Sequence, residues 1–336
     1  MPEQAPVHNL EQLTSHIREL DSYDGSLQDI QLQPLAQGHH NVIYLADNPA
    51  SQLGLPSRFV ARVPRLASVI EGADQAGSAS RQHHKRNNML DGLPTPQVLY
   101  FGRFTCGLPI SFEEYATGQH MDFDDLPAPA IRAFATAISE VHSRQSSAFS
   151  NNSGCEPICS GNYADYLWAM VEESVDQRLA AIEDLSPYAE AIELISIKKQ
   201  ELEMTVQANA ASFAGSRFSL LHHDLSRNNV MWCPNGGISL IDWNPTYGDP
   251  ADDLDYIFTD NNTSLQFKQS FLESYQPPAG SGDVYARLQA YTLKNRLDDL
   301  AWSMTMRQAI PKEYHHVYEG RLRALQTTTV ASLLAA

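Results

Sequence analysis

The stretch that most limits the folds open to this chain runs from Leu220 to Asp255, LLHHDLSRNNVMWCPNGGISLIDWNPTYGDPADDLD. Two short apolar runs, NNVMW and GISLIDW, are joined by CPNGG, whose Asn and Gly suit a tight reversal, so together they read as a β-hairpin. Asp224 and Asn229 then lie on the loop entering the first strand, and Asp242 lies at the exit of the second. A hairpin brings loop and strand end together, so three oxygen-bearing side chains converge at one end of a small sheet. Convergent carboxylate and amide oxygens suit a hard cation such as Mg²⁺, which keeps some of its waters and bridges phosphates. A second carboxylate beside such an ion can take the proton of an attacking hydroxyl. Phosphoryl transfer requires that division of labour.

The chain is large enough to build around such a site. Its 336 residues allow a sizeable core and two lobes. With 43% hydrophobic and 19% charged residues it falls in the globular class and not the disordered one. The formal net charge of −17 argues against nucleic acid as a partner. It suits a cationic small molecule, and equally plain solubility. The opening MPEQAPVHNL lacks the basic and apolar regions of a secretory signal, and no apolar run reaches the roughly 18 residues of a membrane span, so a cytoplasmic protein without membrane contact is expected. Of Cys106, Cys155, Cys159 and Cys233 only the pair in CEPIC lies close, at no standard zinc spacing, and all read as reduced thiols. Four His-His pairs invite a metal reading, but adjacent side chains point apart and rarely chelate one ion.

The apolar pattern changes period along the chain. A short leading helix is expected over residues 10–20, from Leu10, Leu13, Ile17 and Leu20. Strands are expected over 30–35, 41–47 and 58–65, with two more between Val98 and Ala116. Beyond 115 the period becomes helical: Ile131, Phe134, Ala135, Ile138 and Val141 form one stripe. Further helices are expected over 163–182, 186–213, 265–275 and 283–306, the last stopped by Pro311, with a final helix over 312–335. Residues 145–160 read as a loop. The expected fold class is α+β and bilobal: a small antiparallel-sheet lobe over 1–114 and a larger, mostly helical lobe over 115–336 that holds the polar loop and the acceptor site.

Taken together, HHDLSRNN and LIDWNPTYGDPADDLDYI resemble the aminoglycoside phosphotransferase and choline kinase family, with its His-x-Asp-(x)4-Asn loop and its Ile-Asp-Trp strand followed by Gly-Asp-Pro. The match is carried by His222, Asp224, Leu225, Asn229, Ile241, Asp242, Trp243, Gly248, Asp249, Pro250, Asp253 and Leu254. The resemblance implies a protein-kinase-like fold and transfer of the γ-phosphate of ATP, with Mg²⁺, to a hydroxyl of a small molecule. An amino sugar, an aminoglycoside or a choline-like alcohol is the candidate acceptor. By the same resemblance Asp224 is the catalytic base, Asn229 and Asp242 bind Mg²⁺, and His222 braces the loop. Gly38 and Asn41 match a Gly-x-x-Asn turn near the phosphates, Arg62 is assigned to the ATP phosphates, and Phe112, Glu114 and Tyr115 are candidates for the adenine site.

One part departs from that pattern. The helix after the third strand should offer a Glu to pair with Arg62, yet SRQHHKRN has no acid, leaving Glu71, Gln82 or His83 as substitutes. Asp249, Asp252 and Asp253 read foremost as caps of the following helix. Asp253, Asp298, Asp299 and Trp302 are also candidates for the acceptor site, within an acidic and aromatic set that includes Asp165, Glu172, Glu173, Asp176, Trp168, Tyr256 and Tyr291. Solvated helix faces are the plain alternative for those acids. Two other functional classes stay open: a nucleotide-binding pseudokinase acting as an interaction module, and a zinc-dependent hydrolase using the His and Asp residues.

Overall fold

The computed structural model describes residues 31–37, 41–48, 55–64, 88–103, 109–123, 125–150, 157–233, 236–259, 263–309 and 311–328. The expected leading helix over 10–20 lies outside them, as do Gly38, Glu71, Gln82 and His83. The chain divides into two compact units, 1–118 with 239–241, and 119–238 with 242–336. The first unit thus runs on past 114 and also takes in three residues that follow the hairpin turn.

The first unit is built on one antiparallel sheet of β1 (Gln31–Gln37), β2 (Asn41–Asp47), β3 (Arg58–Pro64), β4 (Val98–Arg103) and β5 (Pro109–Glu114), ordered β1-β2-β3-β5-β4. Strict alternation sends Tyr44, Ala46, Phe59, Ala61, Val63, Ile110 and Phe112 to one face, where they form the core. Phe112 packs within that core with its ring tilted against those of Phe59 and Tyr100, at centroid distances of 5.0 and 5.2 Å. On the other face Arg62 stands opposite Ser111 and Val60 opposite Glu113.

The second unit opens with β6 (Gln119–His120) and α1 (Ala128–Ser143), whose whole predicted stripe is buried. The expected loop over 145–160 instead contains β7 (Gln145–Ser146), β8 (Phe149–Ser150) and β9 (Pro157–Cys159). Its backbone groups need partners once packed, and β7 finds them on a buried neighbour, β10 (Phe218–Leu221). Between lie α2 (Tyr163–Val171), a π-helical turn over Glu172–Asp176, α3 (Gln177–Ala180), α4 (Ala189–Ala208) and α5 (Ala210–Phe213). After β10 come β11 (Val230–Trp232), β12 (Ile238–Leu240), β13 (Thr246–Gly248), α6 (Pro250–Thr259), α7 (Leu265–Ser274), α8 (Leu288–Ala309) and α9 (Pro311–Thr327). Pro311 separates α8 from α9 and opens the latter, the one helical position where a missing N–H costs nothing. No helix among the described residues is long and apolar enough to cross a membrane.

β10 is the strand that sets the site. It is buried along its whole length and pairs on its second edge with β13, Ser219 opposite Gly248 and Leu221 opposite Thr246. Gly248 is required there because a Cβ would lie 2.4 Å from Cζ of Tyr166. Gly248→Ala is therefore expected to lower stability by about 1–3 kcal/mol through overpacking, measured by urea unfolding. A change below about 0.5 kcal/mol would show that the ring moves aside freely.

Candidate active site

The polar loop leaves β10 at His222, which is fully buried. Its ring lies 4.5 Å from that of Trp243, and its backbone carbonyl accepts from the Asn244 N–H at 3.1 Å. The next two turns of backbone are held by one carboxylate: Asp253 accepts the N–H of His222 on Oδ2 and that of His223 on Oδ1, both at 2.7 Å. His223 is in the left-handed region at φ 64°, a conformation a non-glycine residue holds only when its surroundings impose it. The Asp224 N–H donates to Nδ1 of His222 at 3.3 Å. Asn229 ends a 3₁₀ turn and donates its Nδ2 to the Asp224 carbonyl at 2.9 Å, so the five-residue spacing closes the loop on itself. With its nitrogen committed inward, the Asn229 side chain keeps an amide oxygen, a donor of the kind a hard cation takes.

Asp242 follows β12, is exposed, and sits at φ 59°, while the neighbouring Trp243 is buried. Its charge reaches Asp224. Burial first, and Asp242 second, push the Asp224 carboxyl up to about 6, against the lowering effect of the Asn229 hydrogen bond and of His223. A carboxylate whose proton affinity is raised by a second carboxylate, with an amide oxygen beside it, belongs to a donor set whose charge a hard divalent cation would relieve. Asn229, Asp242 and Asp224 therefore fit Mg²⁺ by their chemistry.

The acids of the run after β13 are all buried and held by partners within the protein. Asp249 takes Arg287 in a buried two-point ion pair, Nε to Oδ2 at 2.6 Å and Nη2 to Oδ1 at 2.8 Å, and accepts the Ala251 N–H at the start of α6. Asp252 is gripped by Nζ of Lys294 at 2.9 and 3.0 Å and by the Tyr166 hydroxyl at 3.0 Å. Burial alone would raise the Asp252 carboxyl; Lys294 and His223 outweigh it and hold it well below the usual range. Asp255 accepts from Thr292 at 2.5 Å and Asn295 at 2.7 Å, and burial pushes it up to about 6 despite those bonds. Asp253 adds a contact from Nε2 of His142 at 3.2 Å, and His142 shares a 2.8 Å hydrogen bond with the Tyr275 hydroxyl. Asp253 is fully buried, with both oxygens used by the protein.

The other acceptor candidates are partly exposed. Asp298 pairs with Arg178; Asp299 pairs with Arg321 at 2.6 Å and lies 3.7 Å from Arg296. Tyr256 links them to the loop: burial, then Asp252, Asp298, Asp299 and Asp224, raise its hydroxyl well above the usual value. Trp302 packs edge-on against Tyr314 at 5.7 Å. Trp168 and Asp176 line a separate groove of about 380 Å³ with Ile192 and Ile195, where Asp176 is tied to Lys199 at 2.7 Å. None of the loop residues lines that groove. Asp165 forms a capping box with Asn162 at the start of α2.

In the first unit Arg62 has a carboxylate partner, though not from the helix where one was sought: its Nε donates to Oε2 of Glu113 on β5 at 3.0 Å. Glu114 accepts the Gln97 N–H at 3.0 Å, and Tyr115 lies under the Arg58 guanidinium at 5.8 Å. Asn41 opens β2 opposite Pro64. Glu113, His142, Arg287 and Lys294 are the residues that reading the sequence missed. Arg287 and Lys294 stand seven apart, two helical turns on one face, and two buried cations were the available sign that the acids of the run have partners.

Asp224 carries a testable signature in stability. An unfolded Asp ionises near 4 and this one near 6, so its charge costs stability above about pH 6 and nothing well below pH 4. In metal-free buffer Asp224→Asn is expected to be more stable than the parent by roughly 1–2 kcal/mol at pH 7.5, the gain shrinking as pH falls toward 4. Urea unfolding at several pH values measures it, and a pH-independent difference would rule the raised carboxyl out.

Comparison with known proteins agrees with this geometry. The model of the phosphotransferase enzyme family matches residues 31–291. Among solved structures, a thermostable mutant of aminoglycoside phosphotransferase APH(4)-Ia, in ternary complex with AMP-PNP and hygromycin B, superposes with a TM-score of 0.61 at 22% identity, over 93% of this chain and 97% of its own. Choline kinase LicA from Streptococcus pneumoniae gives 0.59 at 17% identity, over 93% and 99%. A choline/ethanolamine kinase family protein from Mesorhizobium loti gives 0.58 at 17%, over 95% of each chain. No curated protein sequence matches. The structural neighbours establish the kinase-like fold, and the family match over most of the chain's length, joined to the loop and strand geometry above, makes the chain an enzyme of the phosphotransferase family.

Proposed function

We propose that the chain transfers the γ-phosphate of ATP, with Mg²⁺, to a hydroxyl of a small molecule. The observation that carries this reading is the loop in which Asn229 is tied to the Asp224 carbonyl while burial and the charge of Asp242 raise the proton affinity of Asp224. Asp224 takes the proton of the acceptor hydroxyl: a carboxyl shifted up to about 6 is ionised at neutral pH and more basic than an ordinary Asp. Asn229 and Asp242 hold Mg²⁺, which when bound neutralises and orients the phosphates. His222 and Asp253 keep the loop in register, so that base and metal donors hold their separation. Arg62, with Gly38 and Asn41, meets the phosphates, and Glu114 and Tyr115 border the adenine. ATP fits the nucleotide complex of the hygromycin-bound neighbour.

For the acceptor, Asp298 and Asp299 with Trp302 remain the candidates, grouped around Tyr256 with Asp224. Carboxylates about one hydroxyl support an amine-bearing alcohol such as an amino sugar or a choline-like compound, the acceptor classes named for the neighbours. Arg178, Arg296 and Arg321 offset part of that charge, so the acidic set is less free for a cation than its sequence count suggests. Asp253 drops out of the acceptor set because its oxygens are already used. A zinc hydrolase would need three converging ligands, and among the described residues no three His, Cys, Asp or Glu side chains meet in that way. The Arg62–Glu113 pair weakens the pseudokinase reading, which drew on a missing acid.

The test is ATP consumption by the purified protein against a panel of amino sugars, aminoglycosides and amino alcohols. One class should be phosphorylated, with Asp224→Ala and Asp242→Ala each lowering kcat by about 10²–10⁴-fold. ADP with Mg²⁺ should also raise the melting temperature. Unchanged melting together with no phosphorylated product would overturn the reading.

A further inference from the structure

We propose that Glu113 is the positioning residue for Arg62, holding the guanidinium in the orientation in which it meets the nucleotide phosphates. The proposal rests on the phosphotransferase reading above.

Glu113 is an unexpected residue where it stands. It lies in the body of a strand, a place that disfavours Glu, and is 6% exposed. A buried carboxylate is costly unless paired, and a well-packed apolar residue in the same place would be at least as stabilising as the ion pair. Stability alone therefore gives no reason for a Glu here. The register supplies another reason. Arg62 faces Ser111 across the β3–β5 ladder and Val60 faces Glu113, so Arg62 and Glu113 are diagonal neighbours on one face. Their side chains, 13% and 8% exposed, meet at 3.0 Å through Nε.

That contact has a mechanical consequence. A guanidinium is planar, and fixing Nε against a carboxylate fixes the plane, so the terminal nitrogens keep one direction. Both residues belong to paired strands of one sheet, so the contact forms whenever the sheet forms. A clamp made with a neighbouring helix would depend on where that helix lies; this one depends only on the β3–β5 register. Glu113 thus makes Arg62 ready before nucleotide arrives, which lowers the ordering cost of binding.

The experiment compares the unmodified chain with Glu113→Gln, Glu113→Asp, Arg62→Ala and the Arg62→Ala/Glu113→Gln double variant. It reads ADP–Mg²⁺ affinity by calorimetry, KM for ATP and for the acceptor, and melting temperature. Glu113→Gln is expected to weaken ADP and raise the ATP KM by about tenfold or more, with the acceptor KM unchanged. Glu113→Asp should recover part of the loss, and Glu113→Gln should change nothing further once Arg62 is Ala. Unchanged nucleotide affinity in Glu113→Gln, or an equal loss in the Arg62→Ala background, would overturn the proposal while leaving the phosphotransferase reading intact. Should Glu113→Gln not fold, Glu113→Asp against Arg62→Ala gives the same comparison. Absence of ADP–Mg²⁺ binding by the unmodified chain would overturn both.

Discussion

One carboxylate holds the site together. Asp253 takes the backbone N–H groups of His222 and His223 on its two oxygens. Hydrogen bonds to a charged acceptor are worth more than neutral ones, and here they are spent on backbone. They hold His223 at a positive φ, which turns the chain so that Asp224 leaves the loop beside Asp242. The same carboxylate is steadied from behind by His142 on α1, itself bonded to Tyr275 at the end of α7. Asp224 is thus positioned through Asp253 on α6, His142 on α1 and Tyr275 just past the end of α7.

The rest of the acidic run repeats the device with different partners. Asp249 is joined to Arg287 and Asp252 to Lys294, so the start of α6 is bound to the start of α8 by two buried charge pairs. Replacing such pairs with apolar residues is often harmless to stability, but removing one partner is not, since it strands a charge. Their effect is on geometry: α6 carries Asp253, and any slip of α6 along α8 would break both pairs and carry the loop with it.

The motif residues were legible because chemistry fixes their spacing. His222, Asp224, Asn229 and Asp242 could be assigned roles from the sequence, and the loop closure from Asn229 to Asp224 follows from their separation. The strand face of Phe59, Ala61 and Val63 was legible from alternation alone. The partners were not. Glu113 stands 51 residues from Arg62, and no local period links them; only the pairing of β3 with β5 does. His142 and Asp253 are 111 residues apart. The short strands over 145–159 were invisible because strands of two or three residues have no pattern of their own: β7 exists through β10, and β8 and β9 through each other. Acids on the helices misled in a consistent way: sequence shows their charge but not the Arg or Lys beside them.

The same distinction sorts the carboxylates by role. Asp249, Asp252, Asp253 and Asp255 are all buried, and each has its oxygens engaged by donors of the protein's own. A raised proton affinity does not separate them from the site, since Asp255 reaches about 6 too, chiefly by burial and with a smaller push from Asp252, against the neutral donors around it. Access does. Asp242 is exposed, Asp224 is partly so, and the second largest influence on Asp224 is another carboxylate. Asp224 instead feels the charge of Asp242 where solvent reaches, an arrangement that an arriving cation would relieve.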